Sequence, residues 1–69
     1  MTFQQMLNHI HKLLKRDCFT DIVEQTGVSA TAVWKWRNEP PDRPSLVVFC
    51  RLARYYGLNP TIDQLEPLF

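Results

Sequence analysis

Apolar residues return at intervals of three and four through most of this chain, the spacing that stacks side chains along one stripe of an α-helix. Phe3, Met6, Leu7, Ile10, Leu13 and Leu14 form the first stripe and predict a helix from about Thr2 to Arg16. Thr2 followed by Gln5 has the form of a capping box, and Lys15 and Arg16 suit the negative end of a helix dipole. A short second helix is predicted from Thr20 to Thr26, capped by Thr20 or Asp21, with Ile22 and Val23 inward. Gly27, able to take a positive φ, stops it. Ser29 then caps a third helix to about Asn38, with Val33 and Trp36 on its buried side.

Pro40, Pro41 and Pro44 break the next stretch, because proline lacks an amide hydrogen and disfavours helix in the residue before it. Ser45 caps a fourth helix to about Tyr56, with Leu46, Phe49, Leu52, Ala53 and Tyr56 inside and Gly57 as its stop. Asn59 and Pro60 turn the chain, and Thr61 with Gln64 repeats the capping-box form before a last short helix that Pro67 ends. No segment alternates with period two, and none repeats another. The expectation is an all-α protein, a compact bundle of about five short helices in one domain over residues 1–69.

Composition removes several function classes. With 69 residues, 45% of them hydrophobic and 22% charged, the chain has an ordinary soluble globular make-up and no room for a multi-layer enzyme. The longest apolar run, Leu46 to Cys50, falls far short of the roughly 20 residues a membrane span needs. The start lacks a basic-then-apolar signal, so a cytoplasmic protein is expected. Cys18 and Cys50 are too few for a disulfide scaffold and read as small hydrophobes. His9 and His11, two apart on a helix, point away from each other, and no cysteine pair has zinc spacing. No glycine-rich phosphate loop or activated nucleophile is present. No metal, cofactor or small-molecule substrate is expected, and no enzyme.

The formal net charge is only +1. Basic residues nevertheless group together: Lys12, Lys15 and Arg16 close the first helix, and Lys35, Arg37, Arg43, Arg51 and Arg54 share the middle with Glu39 and Asp42. Charge alone supports equally a basic face for phosphates and a solvated surface of mixed sign.

The stretch Thr20 to Asn38 carries more information. A short helix, a tight turn on Gly27 and a second helix are the parts of a helix-turn-helix. Val28, Val33 and Trp36 supply the inner contacts that such a crossing needs. The text IVEQTGVSATAVWKW, followed by RPSLVVFCRLARYYGL and TIDQL, resembles the Cro/C1-type (XRE-like) family of phage and bacterial DNA-binding regulators. The similarity runs over about residues 3 to 66. It differs from the family in Val23, where a small residue is usual, in Thr20, where glutamine is frequent, and in the proline-rich loop from Glu39 to Pro44.

The resemblance implies a lambda-repressor-like fold and binding to double-stranded DNA. It places base contacts on Ser29, Ala30, Thr31, Trp34, Lys35 and Asn38, and phosphate contacts on Thr20, Arg37 and Arg43. The chemistry suits the major groove: Lys35 can donate to guanine, Asn38 can pair with adenine, and Ala30 or the Thr31 methyl can meet a thymine methyl. Trp36 is expected in the core, whereas Trp34 is either a partly covered surface ring or an exposed contact. A transcriptional repressor acting by operator occupancy is the expectation; a protein-interaction module, antirepressor or adaptor, is the alternative. A homodimer on a near-palindromic operator is also expected. Val47, Cys50, Leu65, Leu68 and Phe69 are its candidate interface, unless Leu68 and Phe69 fold back onto their own core.

Overall fold

The structure, a computed structural model, describes residues 1–69 and contains five α-helices: α1 (Phe3–Arg16), α2 (Phe19–Thr26), α3 (Ala30–Asn38), α4 (Leu46–Tyr55) and α5 (Ile62–Leu65). A single 3-10 turn, Glu66–Leu68, follows α5. The chain is therefore a small all-α bundle. No helix is long and apolar enough to cross a membrane.

The helix starts follow side-chain chemistry. Both capping boxes form: the Thr2 hydroxyl accepts from the Gln5 amide while the Gln5 side chain accepts from the Thr2 amide, and Thr61 and Gln64 do the same. Each box satisfies two amides that the first turn leaves without a backbone partner. The Ser29 hydroxyl accepts from Ala32 at 3.2 Å and opens α3. Ser45 stands at the cap position of α4 but makes no side-chain bond there.

The start of α2 differs from expectation. Cys18 is its cap residue, with no side-chain hydrogen bond, and Thr20 and Asp21 lie inside the first turn. Asp21 acts there through charge, facing the positive end of the helix dipole. Cys18 is exposed, so only Cys50, half-buried against the core, behaves as a small hydrophobe. Pro67 also sits differently: α5 ends at Leu65, and the proline lies within the 3-10 turn that follows.

Twelve buried apolar side chains make one core. Met6, Leu7, Ile10 and Leu14 come from α1, Ile22 from α2, Val33 and Trp36 from α3, and Phe49, Leu52 and Ala53 from α4. Val28 in the turn and Leu65 complete it. Phe49 is the junction, its ring 5.0 Å from that of Phe3 and 6.4 Å from that of Trp36 between centroids. Val23, Leu46 and Tyr56 are only half-buried at the margin of this core. The Tyr56 hydroxyl is shut away from water with no hydrogen bond of ordinary geometry. Burial first, and the nearby Asp17 carboxylate second, hold its phenol well above the ordinary range.

Leu65 is a core residue, not an interface residue left over from a filled bundle. Leu68 also packs against the core, while Phe69 stays exposed. The four-residue helix α5 is too short for periodicity to reveal its inner side. The total accessible surface of 4507 Å² matches the value of about 4500 Å² for an average monomer of this mass, so one chain closes its own core.

The two tryptophans provide a direct check. Trp36, 3% exposed, should cost about 3–5 kcal/mol of stability when replaced by alanine. Trp34, 61% exposed, should cost little. Thermal melts of Trp36→Ala and Trp34→Ala decide this; equal losses would contradict the packing described.

Candidate nucleic-acid interface

The segment from Thr26 to Asn38 is held by bonds that fix both ends of α3. Gly27 ends α2 with φ +72°, a left-handed conformation that favours glycine because it has no Cβ. Its amide donates to the Val23 carbonyl at 3.1 Å. The Thr26 hydroxyl donates to the Ile22 carbonyl at 2.6 Å and accepts from the Val28 amide at 3.2 Å, tying the turn to the helix before it. From α4, Arg51 Nη1 donates to the Gly27 carbonyl at 3.2 Å. Three residues, Gly27, Val28 and Ser29, thus carry the chain from α2 to α3, with both backbone groups of Gly27 engaged and Val28 buried.

The far end of α3 meets a problem set by the sequence. A continuing helix would satisfy the carbonyls of Trp36 and Arg37 with the amides four residues on, and those residues are Pro40 and Pro41, which have none. His11 of α1 replaces one of them: its Nδ1 lies 2.7 Å from the Trp36 carbonyl oxygen. A carbonyl only accepts, so this contact requires hydrogen on Nδ1. Spacing alone gave His11 no role, because its partner lies 25 residues away. The one legible sign was the pair of prolines that leaves the carbonyl free.

With its inner side locked by Val33 and Trp36, α3 turns the other residues outward. Ser29, Ala30, Thr31, Trp34, Lys35 and Asn38 are all exposed on this one element. Trp34 resolves as an exposed ring rather than a covered one. Asn38 donates through Nδ2 to the Trp34 carbonyl at 2.9 Å. It retains a second N–H and a free carbonyl oxygen, the pair that adenine recognition uses.

Trp34 and Asn38 line two hollows. One, about 440 Å³, is lined by Trp34, Lys35 and Asn38 with Glu39, Pro40, Pro41 and Asp42 of the loop. The other, about 320 Å³, is lined by Trp34, Arg37 and Asn38 with Lys15 from α1. Arg37 is half-buried, its guanidinium 5.7 Å from the centre of the Phe19 ring. Lys35, Arg37 and Lys15 make no ion pair; the one in the molecule joins Arg16 to Asp17 at 3.2 Å.

Five of the expected DNA contacts line neither hollow: Ser29, Ala30 and Thr31 at the start of α3, and Thr20 and Arg43, which lie outside that helix. Thr20 is exposed on α2. Arg43 is exposed and donates to the Phe69 backbone oxygen at 3.1 Å, so its guanidinium already holds the chain end beside the loop into α4. No three His, Cys, Asp or Glu side chains are grouped so as to hold a metal ion.

His11→Ala should lower stability by about 1–3 kcal/mol by leaving the Trp36 carbonyl unpartnered, and amide exchange at the end of α3 should quicken with it. A variant that melts with the parent would mean that water supplies this bond equally well. Set beside protein-family models, curated proteins and solved structures, the chain matches none of them.

Proposed function

We propose that this chain is a sequence-specific, double-stranded DNA-binding regulator of Cro/C1 type, with α2, the Gly27 turn and α3 as its helix-turn-helix. One observation carries the reading. The helix after the tight turn is anchored at both ends and along its inner side, yet presents an uncovered outer face of hydroxyl, amide, ammonium and indole groups. A rigid helix with such a face suits the major groove, where base edges offer donors, acceptors and the thymine methyl. Lys35 and Asn38 are the principal base contacts, supported by Ser29, Ala30, Thr31 and Trp34. Thr20 and Arg37 serve phosphates, and Arg43 joins them by releasing the Phe69 oxygen.

In this reading the protein works in the cytoplasm as a repressor by occupancy, covering an operator and excluding polymerase or a rival regulator. The protein-interaction alternative rests on Glu39 and Asp42, which share a hollow with Lys35. The DNA reading is favoured because neither acid pairs with that lysine and no acid lines the hollow of Lys15 and Arg37.

The longest extent of the molecule, 31 Å, is less than the roughly 34 Å between half-sites one DNA turn apart. One chain offers one recognition helix, so reading a near-palindromic operator takes a homodimer. Val47 and Phe69, 58% and 66% exposed, are the apolar residues proposed to meet there, with half-buried Cys50 beside Val47's helix face. Leu65 and Leu68 support that surface from the core side.

Duplexes selected by the purified chain from a random-sequence pool provide the test. Lys35→Ala and Asn38→Ala should each weaken binding to the selected duplex by about 1–3 kcal/mol while hardly changing binding to random DNA. A parent chain that selects no sequence, or a Lys35→Ala chain that binds like the parent, would contradict the reading.

Sedimentation of interface variants addresses the dimer. Val47→Asp and Phe69→Ala should weaken self-association and operator binding together with little loss of melting temperature. Leu65→Ala should instead destabilise the chain itself by about 2–5 kcal/mol. A parent that sediments as a monomer at micromolar concentration and binds a half-site as tightly as a full site would contradict it.

A further inference from the structure

We infer that Lys15 of α1 and Arg37 of α3 form a two-sided seat for one backbone phosphate of DNA, with the Trp34 indole as its wall. The inference rests on the DNA-binding reading and extends it to a residue of α1 and to the side of α3 along which the strand passes.

The seat is the hollow of about 320 Å³ lined by Lys15, Trp34, Arg37 and Asn38. Its two charged residues are both cations, and they come from helices that His11 clamps together through the Trp36 carbonyl. Arg37 is partly immobilised over the Phe19 ring, yet its guanidinium donates no hydrogen bond and joins no ion pair. A stacked guanidinium loses less freedom when it binds an oxygen than a side chain waving in water. Lys15 is likewise uncommitted, whereas its neighbour Arg16 is taken by Asp17. Two unpaired cations beside an exposed apolar ring match a phosphodiester, with oxygens for the cations and a sugar for the ring.

The hollow beside the proline loop has the contrary character. There Glu39 and Asp42 share the hollow with Lys35, and two carboxylates disfavour close approach of a polyanion. A strand bordering α3 is thus drawn to the α1 side and repelled from the two carboxylates of Glu39 and Asp42. Lys35, on the acid-bearing side, is left for a base edge.

Binding to duplex DNA across a salt series tests the seat. In the double variant Lys15→Ala, Arg37→Met, methionine keeps an apolar stem against Phe19. The plot of log affinity against log salt should flatten by about 0.9, the value for one phosphate. Two cations on separate phosphates would instead flatten it by about twice that, which would overturn the shared seat. Lys15→Glu, at an exposed position, should weaken binding at least about threefold at moderate salt, and Lys12→Ala, outside the hollow, should match the parent. Thermal melts confirm that each chain is folded. A parent that binds duplex DNA alongside a double variant with unchanged slope, or a Lys15→Glu chain of parental affinity, overturns the seat alone. A parent that binds no duplex at any salt overturns the DNA reading and the seat with it.

Discussion

The packing of Trp36 against Phe49 is the contact on which the rest of the molecule depends. Phe49 belongs to α4, touches Phe3 of α1 on another side, and has no exposed surface. Through it, three helices share one apolar centre, and α3 is held to the bundle by the one of its two tryptophans that is buried. Burying a ring of this size stabilises a small domain by a large fraction of its total stability. Fixing Trp36 inward also fixes what α3 shows outward, since residues on the opposite face of a helix have no other direction to take.

That packing sets the position of α3 but leaves its ends to hydrogen bonding. At the start, Gly27 takes the left-handed conformation, Thr26 bridges two backbone groups, and Arg51 reaches across from α4. At the finish, the prolines that stop the helix also deprive it of donors, and His11 substitutes for one of them. Buried or half-buried carbonyls left without partners are costly, so a residue on α1 has become part of the architecture of α3. The arrangement couples the two helices that together line the hollow around Lys15 and Arg37.

Much of this was legible in the sequence because the signals were local. The stripes of α1 and α4, the boxes at Thr2 and Thr61, the cap at Ser29 and the stop at Gly27 each depend on residues a few positions apart. The inward Trp36 was legible from spacing with Val33. What escaped depends on partners distant in sequence or on elements too short to show a period. Thr20 and Asp21 look like caps, but the chain turns at Cys18, whose side chain advertises nothing. Leu65 looked unpartnered because four residues of helix do not define an inner side. Lys15 gave no sign of facing α3, because that depends on how α1 and α3 cross, and Arg43 gave no sign of reaching Phe69.

The division of labour along α3 bears on how such a chain can change over generations. Ser29 and Asn38 each carry a bond that the helix itself uses, one at its start and one near its end. Ala30, Thr31, Trp34 and Lys35 carry none and lie outside the core. These four positions can therefore drift, or be exchanged as a set, at little expense to folding. The scaffold resembles a lock body with a removable bit: the outer surface of α3 can be rewritten at a few positions while the parts that hold the helix stay in place.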